Sequence, residues 1–393
     1  VLRLSRLIPA SWIQGGFEHT NLVPSGTALF QRWEAILAFL AGVARPAERV
    51  GQVAVPQGRY LSAEVLVIGG GPAGCAAANQ AAAAGRSVVL VTRGQSLARY
   101  AQAAGQAQPM LDERVQVVTG VEVFGAYREG ELLLGAPHDP AQGALALEAE
   151  QVILASGRRA CPPVIPGMWL PGVMDVRTAL IMAHEQAVAP GAKVVVVGNG
   201  DQEAVAKRLR ELGVNVVAAR PVADLRRVVG HNQVTAAQFA ERVACDAVVH
   251  AGPWLSEASL TFQSRAEGLL QLREQRASRL HSLGSAAEAD QALPVAARSR
   301  HKALLCPCFD VSCHEVEALL DQGITDLEVI KRLTSCGMGP CQGQPCWDAL
   351  RALVSARSGI ALAALPRPTL RPPRRALSVA QAAGLADVVA PLQ

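Results

Sequence analysis

Aromatic side chains are scarce in this chain, at 4% of 393 residues, and charge is thin, at 18%. The 37 basic and 33 acidic residues leave a formal net charge of only +4. A nucleic-acid binder concentrates positive charge and stacking rings, so that class is excluded. Long apolar runs are missing too. The stretch from Ala35 to Ala44, built around one glycine, falls well short of the roughly 20 residues a membrane span needs. No segment combines a basic start, an apolar run and a small-residue cleavage site, which argues against export. The expectation is a soluble cytoplasmic protein. Catalytic signatures are absent as well: no Ser/His/Asp constellation, no paired carboxylates at a glycine turn, and no redox C-x-x-C near the first glycine motif. His250 and His314 read as structural residues.

Half of the chain is hydrophobic, enough for a sizeable core spread over two or three domains. Its nine cysteines are unevenly placed. Cys75, Cys161 and Cys245 are scattered, whereas the other six crowd between Cys306 and Cys346. In a large chain without an export signal, a metal or redox site is the better default than a disulfide framework.

Two strand–turn–helix–strand units organise the first part, each about 30 residues long, the length of a βαβ unit. The first runs EVLVI (64–68), GGGPAG (69–74), an alanine-rich helix to Gly85, and SVVLV (87–91). In Gly69-x-Gly71-x-x-Gly74 the first glycine permits the tight turn and the second lets backbone approach a pyrophosphate. The third lets the helix close on the strand. The free N–H groups at the helix start complete a phosphate cradle. A ribose-binding acid is expected at the end of the next strand, but Thr92 and Arg93 stand there. A dinucleotide site and a βαβ unit whose site has decayed both remain open. The second unit runs KVVVV (193–197), GNGD (198–201), a helix through Leu212, and VNVVA (214–218). Gly198 and Gly200 are present, Glu203 occupies the third position, and Arg220 after the strand suits a 2′-phosphate.

Cys306-Pro-Cys308 and Cys341-Gln-Gly-Gln-Pro-Cys346 are separated by residues that read as two short helices, 311–322 and 327–333. Two helices fold back and bring the pairs together. Soft thiolates select zinc or an iron–sulfur cluster. The C-x-C spacing suits zinc less well, and the glycine-rich loop 336–343 allows backbone N–H groups to face sulfur. Free buried thiols are the remaining alternative. Cys313 reads as an ordinary helix residue, and Cys336 as the residue that competes for a ligand position. The tail carries PRPTLRPPRR (366–375), read as an extended basic strap, either solvated or wrapped on a neighbour.

The fold class that follows is α/β, with two Rossmann-like dinucleotide-binding modules of the pyridine nucleotide-disulfide oxidoreductase type and a small helical domain. The expected organisation is an N-terminal extension over 1–60, a first dinucleotide domain over 61–165 with 275–300, and a second inserted over 166–274. A cysteine-rich domain over 301–358 and a Pro/Arg-rich tail over 359–393 complete it.

The segment CPCFDVSCHEVEALLDQGITDLEVIKRLTSCGMGPCQGQPCW (306–347) resembles the [2Fe–2S] domain named for bacterioferritin-associated ferredoxin. It is similar in particular to the version found in large α subunits of multimeric flavin-dependent amino and imino acid dehydrogenases and oxidases, of opine, hydroxyproline, proline and sarcosine type. The order of GGGPAG, ASGRR, VVVVGNG and CDAVVHAGPW fits those subunits, as does PASW (9–12). The resemblance implies cluster ligands Cys306, Cys308, Cys341 and Cys346 and a nucleotide turn at Gly69, Gly71 and Gly74. The bound dinucleotide would be FAD, NAD or ATP. It also implies a partner β subunit that oxidises substrate on its own FAD, and a small ferredoxin-like subunit. The alternatives are a stand-alone NAD(P)H-dependent flavin reductase and a scaffold with decayed sites. Three departures bear on FAD: Thr92-Arg93 in place of acids, no aspartate in Leu283-Gly284-Ser285-Ala286, and a short stretch between Arg93 and Val115.

Overall fold

The computed structural model describes residues 28–40, 54–127, 132–257, 259–260, 280–282, 293–296, 298, 303–339, 341–344, 346–366, 373, 375 and 377–389. Backbone contacts divide the chain into Val1–Ala54 and Val55–Gln393. Of the first unit, one helix is described, α1 (Ala28–Leu40), where the spacing of Phe30, Trp33, Leu37 and Leu40 predicts one. The segment 283–286 lies outside the described residues.

The second unit is built on two sheets, the first mixed and the second parallel. Strand β1 (Arg59–Ile68) pairs in parallel with β2 (Val88–Val91) on one side and β6 (Leu145–Leu154) on the other. Beyond β2 lies β3 (Val115–Val118). The strand β16 (Leu280–Ser282) runs parallel to the C-terminal end of β6. The antiparallel hairpin β4 (Val121–Tyr127) and β5 (Leu132–Pro137) pairs with the other end of β6. Continuous apolar runs such as VLVI and VVLV suit this position, because a central parallel strand is buried on both faces. Between β1 and β2, the helix α2 (Pro72–Ala83) begins with proline in its first turn, where the missing N–H costs nothing. Its buried face is Gly74, Cys75, Ala77, Ala78 and Ala82, small enough for the helix to lie close on the sheet.

The second sheet has the order β10 (Val216–Pro221), β9 (Val194–Gly198), β14 (Ala247–Ala251), β8 (Val173–Asp175). On one face it packs with α3 (Arg99–Ala103), α4 (Val176–Gln186) and α5 (Gln202–Glu211) around Ala103, Leu180, Val194, Val196 and Leu209. The other face is covered by an antiparallel meander, β11 (Arg227–Gly230), β12 (Val234–Gln238) and β13 (Arg242–Ala244). This meander lies in a stretch whose Arg-rich sequence reads as mixed and polar. Short strands β7 (Arg158–Ala160) and β15 (Trp254–Ser256) pair antiparallel and tie the two sheets together.

The cysteine-rich segment forms a hairpin, β17 (Leu304–Cys306) and β18 (Val311–Ser312), followed by α6 (Cys313–Asp321), α7 (Leu327–Thr334) and α8 (Cys346–Ser358). Val311 and Ser312, expected in the first helix, belong to the hairpin instead. The main-chain N–H of Ser312 donates to the Glu315 carboxylate at 2.7 Å, a capping box that fixes the helix start one residue later. Asp326 caps α7 by accepting from the N–H groups of Glu328 and Val329. Leu305, Val316, Ile330, Trp347, Leu350 and Leu353 fill the core between these elements.

The strap expected over 366–375 lies largely outside the described residues. Residues Val379–Val389 form a helix, α9, which lies against the first sheet, with Leu385 buried beside Phe124, Ala136 and Ala144. The Gly58 N–H donates to the Gly384 carbonyl at 3.0 Å. The alanines and leucine of VAQAAGLADVV supply an apolar face whose burial stabilises the helix.

Candidate iron–sulfur and nucleotide site

Five cysteines converge at one end of the cysteine-rich module. Cys306 ends β17, Cys308 follows in the turn, Cys336 lies just after α7, Cys341 sits in the glycine-rich loop, and Cys346 starts α8. The sulfurs of Cys306, Cys336 and Cys346 lie within 4.8 Å of one another and all three residues are buried. The Sγ atoms of Cys308 and Cys341 are 3.4 Å apart. The loop geometry depends on Gly339: a β-carbon there would lie 2.4 Å from Cβ and 2.8 Å from Sγ of Cys308. Cys313, by contrast, is buried within the module's core, away from this group.

The electrostatics suit a thiolate-held group. Burial pushes the Cys306 thiol up, while the backbone N–H groups of Gly337, Phe309 and Cys308 pull it down. The thiol of Cys308 is raised chiefly by its hydrogen bond with Cys341, and the Cys341 N–H opposes this. Cys346 is driven up by Cys336 and by burial. Protonated sulfurs are therefore favoured without a cation, and a cation that binds here displaces protons. Soft donors, apolar surroundings and main-chain N–H groups directed at sulfur are the environment an iron–sulfur cluster requires.

The first glycine turn shows a division of labour. A β-carbon on Gly69 would meet the Ala155 carbonyl oxygen at 2.2 Å, and one on Gly74 would meet the Gly69 carbonyl oxygen at 1.9 Å. Both are thus required by packing. Gly71 is different: it has ordinary extended backbone, φ −78°, and nothing lies within 4 Å of where its β-carbon would stand. That open space faces a cavity of about 1690 Å³, so a phosphate can approach the main chain there.

The second turn faces the same cavity through Gly200 and Asp201, but its donors are already engaged. The Gly200 N–H donates to the Gln202 side chain at 2.8 Å, and the Trp254 indole N–H donates to Asp201 at 3.1 Å. The other Asp201 oxygen is buried with no partner among the described residues. A carboxylate in that position opposes a pyrophosphate. Gly198 does not line the cavity, and Glu203, the acid the sequence singles out at this turn, is exposed beyond it. Arg220 pairs with Glu241 at 3.4 Å and lies off the cavity as well.

Sequence reasoning did not find Arg177. Its guanidinium lies 5.1 Å from the Tyr100 ring centroid and 5.5 Å from that of Trp254, and burial pushes its pKa down. The three residues are far apart in sequence, so no local pattern announces them. His250 is buried, and desolvation lowers its pKa to about 4, partly offset by Asp175. The cavity runs on past the turns to Cys341 and Gln344, which puts the cysteine loop and the first glycine turn on one wall-to-wall space.

Comparison with known proteins agrees with this construction. Residues 63–216 match the pyridine nucleotide-disulphide oxidoreductase family and residues 301–385 match the sarcosine oxidase A3 domain. One of the opine oxidase subunits of Rhizobium meliloti is 36% identical over 84 residues, 21% of this chain and 18% of that protein. The alpha subunit of sarcosine oxidase from the same organism is 30% identical over 196 residues, 42% of this chain and 20% of that protein. Segments of this chain are similar to segments of those oxidase subunits. The matched segments span about a fifth of each curated relative's length. The crystal structure of L-proline dehydrogenase from P. horikoshii superposes with a TM-score of 0.66 at 22% identity, covering 82% of this chain and 80% of that one. The α/β fold with Rossmann-like modules is shared, and it is residues 63–216 that carry the oxidoreductase-family match. No helix among the described residues is long and apolar enough to cross a membrane.

Proposed function

We propose that this chain is the electron-transfer α subunit of a flavin-dependent amino or imino acid dehydrogenase or oxidase complex, of the proline, hydroxyproline, opine or sarcosine type. The observation that carries this reading is the single cavity bounded by the Gly69–Gly74 turn at one end and Cys341 at the other. A nucleotide cofactor at the turn and an iron–sulfur cluster at Cys341 would open onto the same space.

The four ligands would be Cys306, Cys308, Cys341 and Cys346. A [2Fe–2S] cluster supplies one-electron transfer when bound. The chain's own residues do the positioning. Cys306 and Cys346 are withdrawn from water, which shields that side of the group. Cys308 is exposed and Cys341 half-buried, so electrons have a short exit on that side. The N–H groups of Gly337, Phe309, Cys308 and Cys341 stabilise negative charge on sulfur. Cys336 is a fifth sulfur, hydrogen-bonded with Cys346 and within 4.8 Å of Cys306. At the other end, the Gly71 backbone and the start of α2 would hold the pyrophosphate of a dinucleotide. Substrate oxidation would take place on the FAD of a partner β subunit, and a small ferredoxin-like subunit would complete the assembly. The absence of a catalytic acid–base constellation from the sequence fits that division.

The test uses the chain with whatever subunits co-purify. Substrate reduction should produce a [2Fe–2S] electron paramagnetic resonance signal. Cys341→Ser should abolish transfer to an external acceptor while the partner's flavin is still reduced by substrate. A colourless protein with one zinc, or unchanged turnover in the variant, overturns the reading.

A further inference from the structure

We propose that the nucleotide held at the Gly69–Gly74 turn carries a phosphate on its adenosine ribose, as a 2′-phosphorylated dinucleotide does, and that Arg93 grips that phosphate. This inference rests on the reading above that the first turn is a nucleotide site, and it names the ligand class.

In a βαβ nucleotide module the ribose of the adenosine half lies beyond the end of the second strand. Here that strand is β2, whose last residue, Val91, is paired in register with Ile68, the residue before the glycine turn. Of the next two residues, Thr92 is committed to the fold. It is buried, its N–H donates to the Val118 carbonyl, its carbonyl accepts from Val121, and its hydroxyl accepts from the Gly94 N–H. Arg93 is left to face the ligand. It is exposed, lines the same cavity as Gly71, and its guanidinium has no ion pair or hydrogen bond among the described residues. Ser96, also exposed on the cavity wall, adds a hydroxyl close by in sequence.

An arginine here selects a phosphate and not a pair of ribose hydroxyls, because a guanidinium only donates and ribose hydroxyls are best held by a carboxylate. The carboxylates on the cavity wall are mostly engaged. Asp175 caps α4 through the N–H groups of Arg177 and Thr178, Asp201 accepts from Trp254, and Glu257 accepts from Ser259. Glu122, near the start of β4, is the acid on that wall without a partner among the described residues, and it defines the competing outcome. The cation that the sequence offers for a 2′-phosphate, Arg220, is tied to Glu241 outside the cavity.

The experiment titrates the purified full chain, with its co-purifying subunits, calorimetrically with 2′,5′-ADP and with 5′-AMP, which differ only in the ribose 2′-phosphate. Arg93→Ala, Arg93→Glu and Glu122→Gln are titrated alongside, with thermal melting as the folding control. The expected result is 2′,5′-ADP bound at least about tenfold more tightly than 5′-AMP, the worth of one charge-assisted hydrogen bond. Arg93→Ala should erase the preference and Arg93→Glu reverse it. Equal affinities that ignore Arg93, or a preference for 5′-AMP that depends on Glu122, overturn the proposal. If neither probe binds the parent chain, the nucleotide-site reading itself falls, an outcome distinct from loss of selectivity.

Discussion

Arg159 on β7 and Asp348 on α8 form an ion pair at 2.5 Å that joins the first nucleotide module to the cysteine-rich module. Burial pulls the arginine's pKa down, yet Cys161, Asp348 and Glu257 more than compensate and it ends above its ordinary value. The Trp169 indole N–H reinforces the junction by donating to the Leu304 carbonyl at 2.9 Å. Both charged side chains are largely withdrawn from water, at 25% and 20% exposure. Asp348→Ala should therefore destabilise by about 1–3 kcal/mol, the cost of stranding a charged hydrogen-bond partner. Urea unfolding of variant and parent measures it, and an unchanged midpoint would show that the junction is held by apolar contact alone.

Serine at Cys306, Cys308, Cys341 or Cys346 should lower iron content and bleach the visible spectrum. Cys313→Ser and Cys336→Ser should leave two irons per chain. Iron analysis with absorbance spectra decides between this ligand set and one in which Cys336 replaces a neighbour; loss of iron from Cys336→Ser would establish the latter.

Gly339→Ala drives a methyl group into Cys308, and the loop must move to admit it. Cluster yield should fall severalfold while the nucleotide modules keep their melting behaviour, since Gly339 touches neither glycine turn. Iron per chain and circular dichroism, measured on one preparation, provide the check.

The buried imidazole of His250 makes stability pH-dependent. Its folded pKa, about 4, is below the ordinary 6.5, so as pH falls through that window the unfolded chain takes up a proton that the folded chain refuses. Stability is lost on acidification, by up to about 3 kcal/mol from this group. His250→Gln should flatten the difference between denaturant midpoints at pH 7 and pH 5 relative to the parent. Parallel pH profiles for the two proteins would rule out His250 as the source.

Leu385→Ala should cost about 2–3 kcal/mol by opening a cavity against Phe124 and should release the C-terminal helix to proteases. Urea titration and limited proteolysis both report it. Unaltered cleavage and stability would mean that α9 does not brace the first sheet.

Much of this architecture is legible in local pattern. VLVI before GGGPAG, alanines after it, and VVVV before GNGD dictate two strand–turn–helix units because apolar period, glycine spacing and helix start are properties of short segments. The crowding of Cys306, Cys308, Cys341 and Cys346 in sequence likewise announces a gathering of thiols, and the fold brings them together with Cys336. Tertiary structure decided what depends on distant partners. The fate of the second turn turned on Gln202 and Trp254 occupying its polar groups, and Arg220 was removed from candidacy by Glu241. Cys336 joined the sulfur group through the left-handed turn at Ser335, and the final helix found its place on a sheet more than 200 residues earlier. Sequence specifies which groups are available; the folded chain specifies which of them are already satisfied by a neighbour, and only the remainder can meet a ligand.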